Sequence, residues 1–197
     1  MSEVIALPLK QKARTRASKP LTLTARADLR TAPLYTPPDF LEAVAKWNAN
    51  CGPGALSAVL RRPVMATMAF LHAGSIRWPG YTSPSLIRAS LDRLGIRWQN
   101  TPSVRTQADL HLLPRYGLAT VQLSGPWEAV SVAAAYAHTH VIGTAVVKGE
   151  RYVYDVNVGD SGGWATWSDW LYVANRIVNS HPGATGFWIR SGVDVGL

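Results

Sequence analysis

The chain is poor in cysteine and in charge. One cysteine occurs in 197 residues, and Asp, Glu, Lys and Arg together make up 16%. A single cysteine, Cys51, excludes an internal disulfide framework and any cysteine-rich zinc site. No stretch of about 18 apolar residues occurs, which excludes an ordinary transmembrane helix and predicts no membrane partner. Residues Met1 to Lys10 lack a basic segment followed by a long apolar run, so the sequence predicts no signal peptide. The expected setting is the cytoplasm, or a particle assembled in it. No internal repeat or low-complexity tract is visible.

What is abundant is apolar surface. Hydrophobic residues account for 47%, the composition of a packed core and not of a disordered chain. The net charge of +8 points towards nucleic acid until it is located. Lys10, Lys12, Arg14, Arg16, Lys19, Arg26 and Arg30, set against Glu3 and Asp28, give residues 1–30 a charge of +5, leaving +3 for all the rest. Residues 1–38 are rich in Lys, Arg, Thr and Pro and end in Thr36-Pro37-Pro38. They are expected to form a basic extended arm, either solvated or tied to an anionic or assembly partner. Residues 39–197 are expected to form one near-neutral domain.

Along that domain the pattern predicts short helices over 39–46, from Cys51-Gly52-Pro53 to Leu60, and over 64–73. A further helix starts at Ser83-Pro84 and stops at Gly95, another starts at Thr106-Gln-Ala-Asp109, and an alanine-rich one spans 126–137. Pro53 suits a first helical turn, while Arg61 and Arg62 suit the far end before Pro63. Strands are expected at Leu118–Leu123, Val141–Val147, Arg151–Val158 and Gly186–Arg190, with a last helix from Ser168-Asp169 to Val178. Helices first and strands later indicate an α+β fold.

Cys51 begins a short apolar helix, where backbone N–H groups and the helix dipole stabilise a thiolate. Such a nucleophile needs a basic partner and a group that orients the partner. A two-residue turn at Lys148-Gly149 pairs Val147 with Glu150. It sets His140 opposite Asn157 and puts Asp155 on the neighbouring diagonal, with all three on one face. A one-residue slip would separate His140 from both acid-side candidates. His138 has the same parity and is the spare base; His72, His111 and His181 have no evident partner. No paired His, Cys or Asp spacing predicts a metal, and no cofactor motif is present.

Trp47-Asn-Ala-Asn-Cys51-Gly-Pro-Gly-Ala-Leu-Ser-Ala-Val-Leu60 resembles the nucleophile helix of papain-like cysteine peptidases. It is most similar to the double-glycine (bacteriocin-leader) peptidase-like branch. Ser83-Pro-Ser-Leu86 to Gly95, His140 with its apolar strand, and Tyr152-Val-Tyr-Asp155 resemble further segments of that branch, over about residues 45–172. The resemblance implies a helical half packed on an antiparallel sheet half. It implies Cys51 as nucleophile, His140 as general base and acid, and Asp155 as its orienting group, acting on a peptide or protein substrate. The branch usually carries Gln six residues before the cysteine, donating to the oxyanion; here that position is Ala45. Asn48 or Asn50 could substitute, and Asn157 competes with Asp155 as the orienting group. Losing one oxyanion donor costs about 10²–10³ in rate.

Three other features compete for attention. Gly159-Asp-Ser161-Gly-Gly163 matches the nucleophile motif of chymotrypsin-like peptidases, but His72 and Asp109 would have to complete it from segments that read as helical. A turn is the expected role of that stretch. Trp164, Trp167 and Trp170 recur every three residues, as core under the last helix or as an aromatic wall for substrate. Finally, the fold could serve without catalysis as a binding or assembly module, for instance in a phage virion, anchored by residues 1–38.

Overall fold

The computed structural model describes residues 43–45, 51–68, 81–160 and 162–195. The arm 1–38, Asn48, Asn50, His72 and Ser161 lie outside the described residues, as do parts of the helices expected over 39–46 and 64–73. Residues 43–45 and 64–68 are helical.

The fold is α+β, built on a six-stranded antiparallel sheet in the order β1-β6-β2-β3-β4-β5. The strands are β1 (Trp98–Thr101), β2 (Tyr116–Ser124), β3 (Thr139–Val147), β4 (Glu150–Asp155), β5 (Gly163–Thr166) and β6 (Gly186–Val195). The helices are α1 (Cys51–Leu60), α2 (Pro84–Arg93), α3 (Val132–Tyr136) and α4 (Trp167–Ser180), with 3-10 turns at Gln107–Leu112 and Pro126–Ala129.

Helices cover both faces of the sheet. On one face α1 and α2 bury Leu56, Val59, Ile87 and Leu91 against Leu118, Val141, Ala145 and Val193. On the other, α4 buries Trp170 and Ala174 with Val121, Ile142, Val153 and Ile189. That two-sided cover explains why β2 is buried continuously from Gly117 to Ser124, with polar Thr120, Gln122 and Ser124 included. It also explains α1, whose residues Gly52 to Val59 are all buried.

The local signals act where physical chemistry places them. The Ser83 side chain caps α2 by accepting from the Leu86 N–H at 3.0 Å, and Pro84 occupies the first turn. Arg61 and Arg62 lie just beyond α1, not in its last turn. Several expectations are corrected. Residues 126–137 do not form one helix, because the Ser131 side chain accepts from the Ala134 N–H at 3.0 Å and starts a new one. Thr106 makes no bond to a backbone N–H of the turn it precedes; its hydroxyl donates to Asp109 at 2.6 Å, and the turn is 3-10. The last helix is capped by Thr166, two residues before the expected Ser168. β1 and β5, four residues each, carry too little pattern to be foreseen. β4 ends at Asp155, so Asn157 lies in the following turn.

The Lys148-Gly149 turn pairs Val147 with Glu150. Both turn residues have positive φ, 51° and 82°, the conformation of the tightest hairpins. Replacing Gly149 with valine is expected to lower stability by about 1–2 kcal/mol, because a side chain there crowds the carbonyl. Chemical denaturation checks this; an unchanged unfolding midpoint would contradict it.

Candidate active site

Cys51 is the first residue of α1 and is partly exposed. Gly52 follows because no side chain fits: a Cβ there would sit 2.1 Å from Thr82 Oγ1. The Thr82 hydroxyl is buried and has no hydrogen-bond partner among the described residues. The His140 side chain and the backbone N–H of Val141 both act on the thiol at close range.

His140 lies near the start of β3, opposite Val121 of β2, beyond the point where β4 stops pairing. It therefore does not face Asn157 across a ladder. Its ring borders a small cavity lined by Val121, Leu123, Trp170 and Phe187, and its side chain is 12% exposed. Nε2 stands 2.9 Å from Asp155 Oδ2, an ion-pair contact whose N–H direction is bent away from the oxygen.

Asp155 is 0% exposed. Two donors hold its Oδ1: the Asn157 backbone N–H at 2.8 Å and the Asn157 side-chain amide at 2.9 Å. The Trp170 indole N–H donates to Oδ2 at 2.8 Å. Asn157 thus supports the carboxylate and does not replace it.

The three charges tune one another. Burial opposes ionisation of the Cys51 thiol, but the His140 hydrogen bond and charge and the Val141 N–H outweigh it, leaving the thiol below its ordinary value. Burial also works against the imidazolium, yet Asp155 and then Cys51 hold His140 well above its ordinary value. Burial would push Asp155 up, but His140, Trp170 and the Asn157 N–H bring it below the usual carboxylate range. These shifts favour a thiolate–imidazolium pair beside a buried carboxylate, a combination suited to nucleophilic attack.

The structure brings Cys51, His140 and Asp155 together and adds Asn157 through Asp155. Ala45 is exposed and helical and offers no donor. His138 is engaged elsewhere: it stacks on Trp127 with ring centroids 3.8 Å apart, and its Nδ1 lies 2.6 Å from His181 Nε2. Gly159 and Gly162 have positive φ in the β4–β5 connection, and Asp109 is bound to Thr106, far from a serine-peptidase arrangement. Trp164 and Trp170 are core residues. The role of Trp170 was missed; its indole N–H gave a signal, since a buried tryptophan needs an acceptor. Among the described residues, no three His, Cys, Asp or Glu side chains gather to hold a metal ion. No family model matches the chain, and no curated protein matches it.

Because Asp155 ionises more readily when folded, its contribution to stability is fully present above the ordinary carboxylate value. It is lost as pH falls through the lowered folded value. Trp170→Phe removes one donor from that buried charge. The expected result is a loss of about 1.5–3 kcal/mol at neutral pH, with a smaller further loss on acidification. Urea unfolding at neutral and acid pH measures both; a variant as stable as the parent at neutral pH contradicts the account.

Proposed function

We propose that this chain is a thiol hydrolase of papain-like architecture that cleaves a peptide or amide bond. The observation that carries the proposal is the Cys51–His140–Asp155 arrangement: a thiol at a helix start, under the influence of an imidazole whose Nε2 lies 2.9 Å from a fully buried carboxylate. Cys51 Sγ attacks the carbonyl carbon, and the C=O electron pair moves to oxygen. The backbone N–H of Cys51, at the positive end of α1, is one donor placed to serve that oxyanion. As the C–N bond breaks, imidazolium His140 gives its proton to the leaving amine, and a thioester remains on Cys51. Neutral His140 then takes a proton from water, whose oxygen attacks the thioester. Collapse releases the acid and restores the thiolate–imidazolium pair.

The test is covalent labelling by a peptidyl electrophile at neutral pH. Cys51 is the only thiol, so the adduct is unambiguous. Labelling is expected in the parent, none in Cys51→Ser, and a drop of about 10²-fold or more in rate in His140→Ala. A parent protein inert to such probes overturns the proposal.

One observation favours a second reading as a papain-like binding or assembly module: the residue six before the cysteine, Ala45, brings no oxyanion donor. On that reading residues 1–38 carry the function. Their deletion would abolish incorporation into a larger particle, or salt-dependent binding to an anionic partner, while Cys51→Ser would be tolerated. Catalysis requires the reverse sensitivities.

A further inference from the structure

On the α1 face of the sheet, two strands from β3, a cation is held in place without an acidic partner among the described residues. In the register of β2 and β6, Val121 pairs with Ile189 and Thr120 with Ser191, so Arg190 is the extra residue of a β-bulge. Bulges redirect a side chain out of the ladder and are common beside active sites. Arg190 is only partly exposed. Its guanidinium carbon lies 4.1 Å from the centroid of the Tyr136 ring, and Nη1 donates to Gln122 Oε1 at 2.8 Å.

Gln122 is fully buried and cannot turn, because its amide nitrogen donates to the carbonyls of Leu123, Ala135 and His138. Its oxygen is thereby committed to Arg190. Among the described residues no carboxylate forms an ion pair with Arg190; Glu128 is instead bound by the Trp188 indole and the Gly125 N–H. A guanidinium has five N–H donors in a planar fork, and one bond to Gln122 leaves most of them for a ligand.

The surroundings connect this cation to the thiol. Tyr136 meets Tyr81 edge-on at 5.9 Å. Tyr81 precedes Thr82, whose hydroxyl packs on Gly52 beside Cys51. The Tyr81 hydroxyl is buried beside Thr139, the residue before His140, without a well-aligned partner. Burial and then Tyr136 push it up to about 12, so it remains a donor. β6 and β3 are separated by β2, a distance of two strand spacings or about 10 Å.

We infer that Arg190 is a carboxylate-recognition subsite for the substrate, taking an acidic side chain or a chain-terminal carboxylate. The inference deepens the proposed amide hydrolysis and rests on it for the scissile bond at Cys51. An extended substrate advances about 3.3 Å per residue, so the carboxylate falls within about three residues of the reacting carbonyl. The fork of Arg190 favours a planar carboxylate held by two parallel bonds.

Two sets of probes test this. Iodoacetyl-capped alanine oligomers of one to three residues are compared as free acids and as amides, for a terminal carboxylate. Iodoacetyl-Glu-amide is compared with iodoacetyl-Gln-amide, for a side chain. In at least one pair the acid is expected to alkylate Cys51 faster, by on the order of 10-fold or more. Arg190→Gln should bring that ratio to about one, and Arg190→Lys should keep part of it. Equal rates in every pair overturn the inference. So does a ratio that survives Arg190→Gln, which would reflect only attraction to a basic chain.

Should Arg190→Gln fail to fold, the parent ratio and Arg190→Lys decide. Binding of the acetyl-capped counterparts to Cys51→Ser, with and without Arg190→Gln, separates the two claims. Acid-selective, Arg190-dependent binding alongside an inert Cys51 keeps the subsite and removes the hydrolase. A reactive Cys51 alkylated at equal rates by acid and amide keeps the hydrolase and removes the subsite.

Discussion

A carboxylate with no solvent exposure is the point on which the site depends. Asp155 gives up water on all sides, and an isolated buried charge of that kind would neutralise. It stays ionised because each oxygen is met by two groups: the backbone N–H and side-chain amide of Asn157 on one, the Trp170 indole and the His140 ring on the other. These groups come from the turn after β4, from α4 and from β3. One side chain therefore ties the hairpin to the helix across the second face of the sheet. Breaking a buried pair by removing one member typically costs about 3–5 kcal/mol. The contact is thus a constraint on folding as well as on chemistry.

Charge then passes outward in sequence. Asp155 favours protonated His140, and protonated His140 favours the Cys51 thiolate. The thiolate also gains from the Val141 N–H and from its place at the start of α1. α1 can bring its first turn close to β3 because its residues are small there, with Gly52 pressed on Thr82. Burial opposes ionisation at all three positions, and the mutual contacts overcome it. A site of this form has little tolerance for losing one member.

Much of this was legible in the residues. The Gly-Pro after Cys51 marked a helix start, and the two-residue turn at Lys148-Gly149 fixed the parity that sends His140 and Asp155 to one side. The cross-strand partner was less legible: β4 stops at Asp155 to pair with Gly163, which leaves His140 opposite Val121 and frees Asn157 for the turn. Strand ends are set by which neighbour competes for the backbone, and β5 was too short to announce itself. Trp170 looked like core and is core, yet its one polar atom reaches the site; a spacing of 15 residues across a strand and a helix start carries no periodic signal. The bulge at Arg190 has no sequence mark either, since it arises from the pairing of two strands far apart in the chain.

The most direct test of the thiolate–imidazolium pair is titration of Cys51, followed as the ultraviolet difference absorbance between the parent protein and Cys51→Ser. With a single cysteine, the difference reports one thiol. The account predicts ionisation below the ordinary thiol value of 9.0 in the parent, moving up towards or above it in His140→Ala. A parent thiol that ionises at or above that value, with no response to His140→Ala, would contradict it.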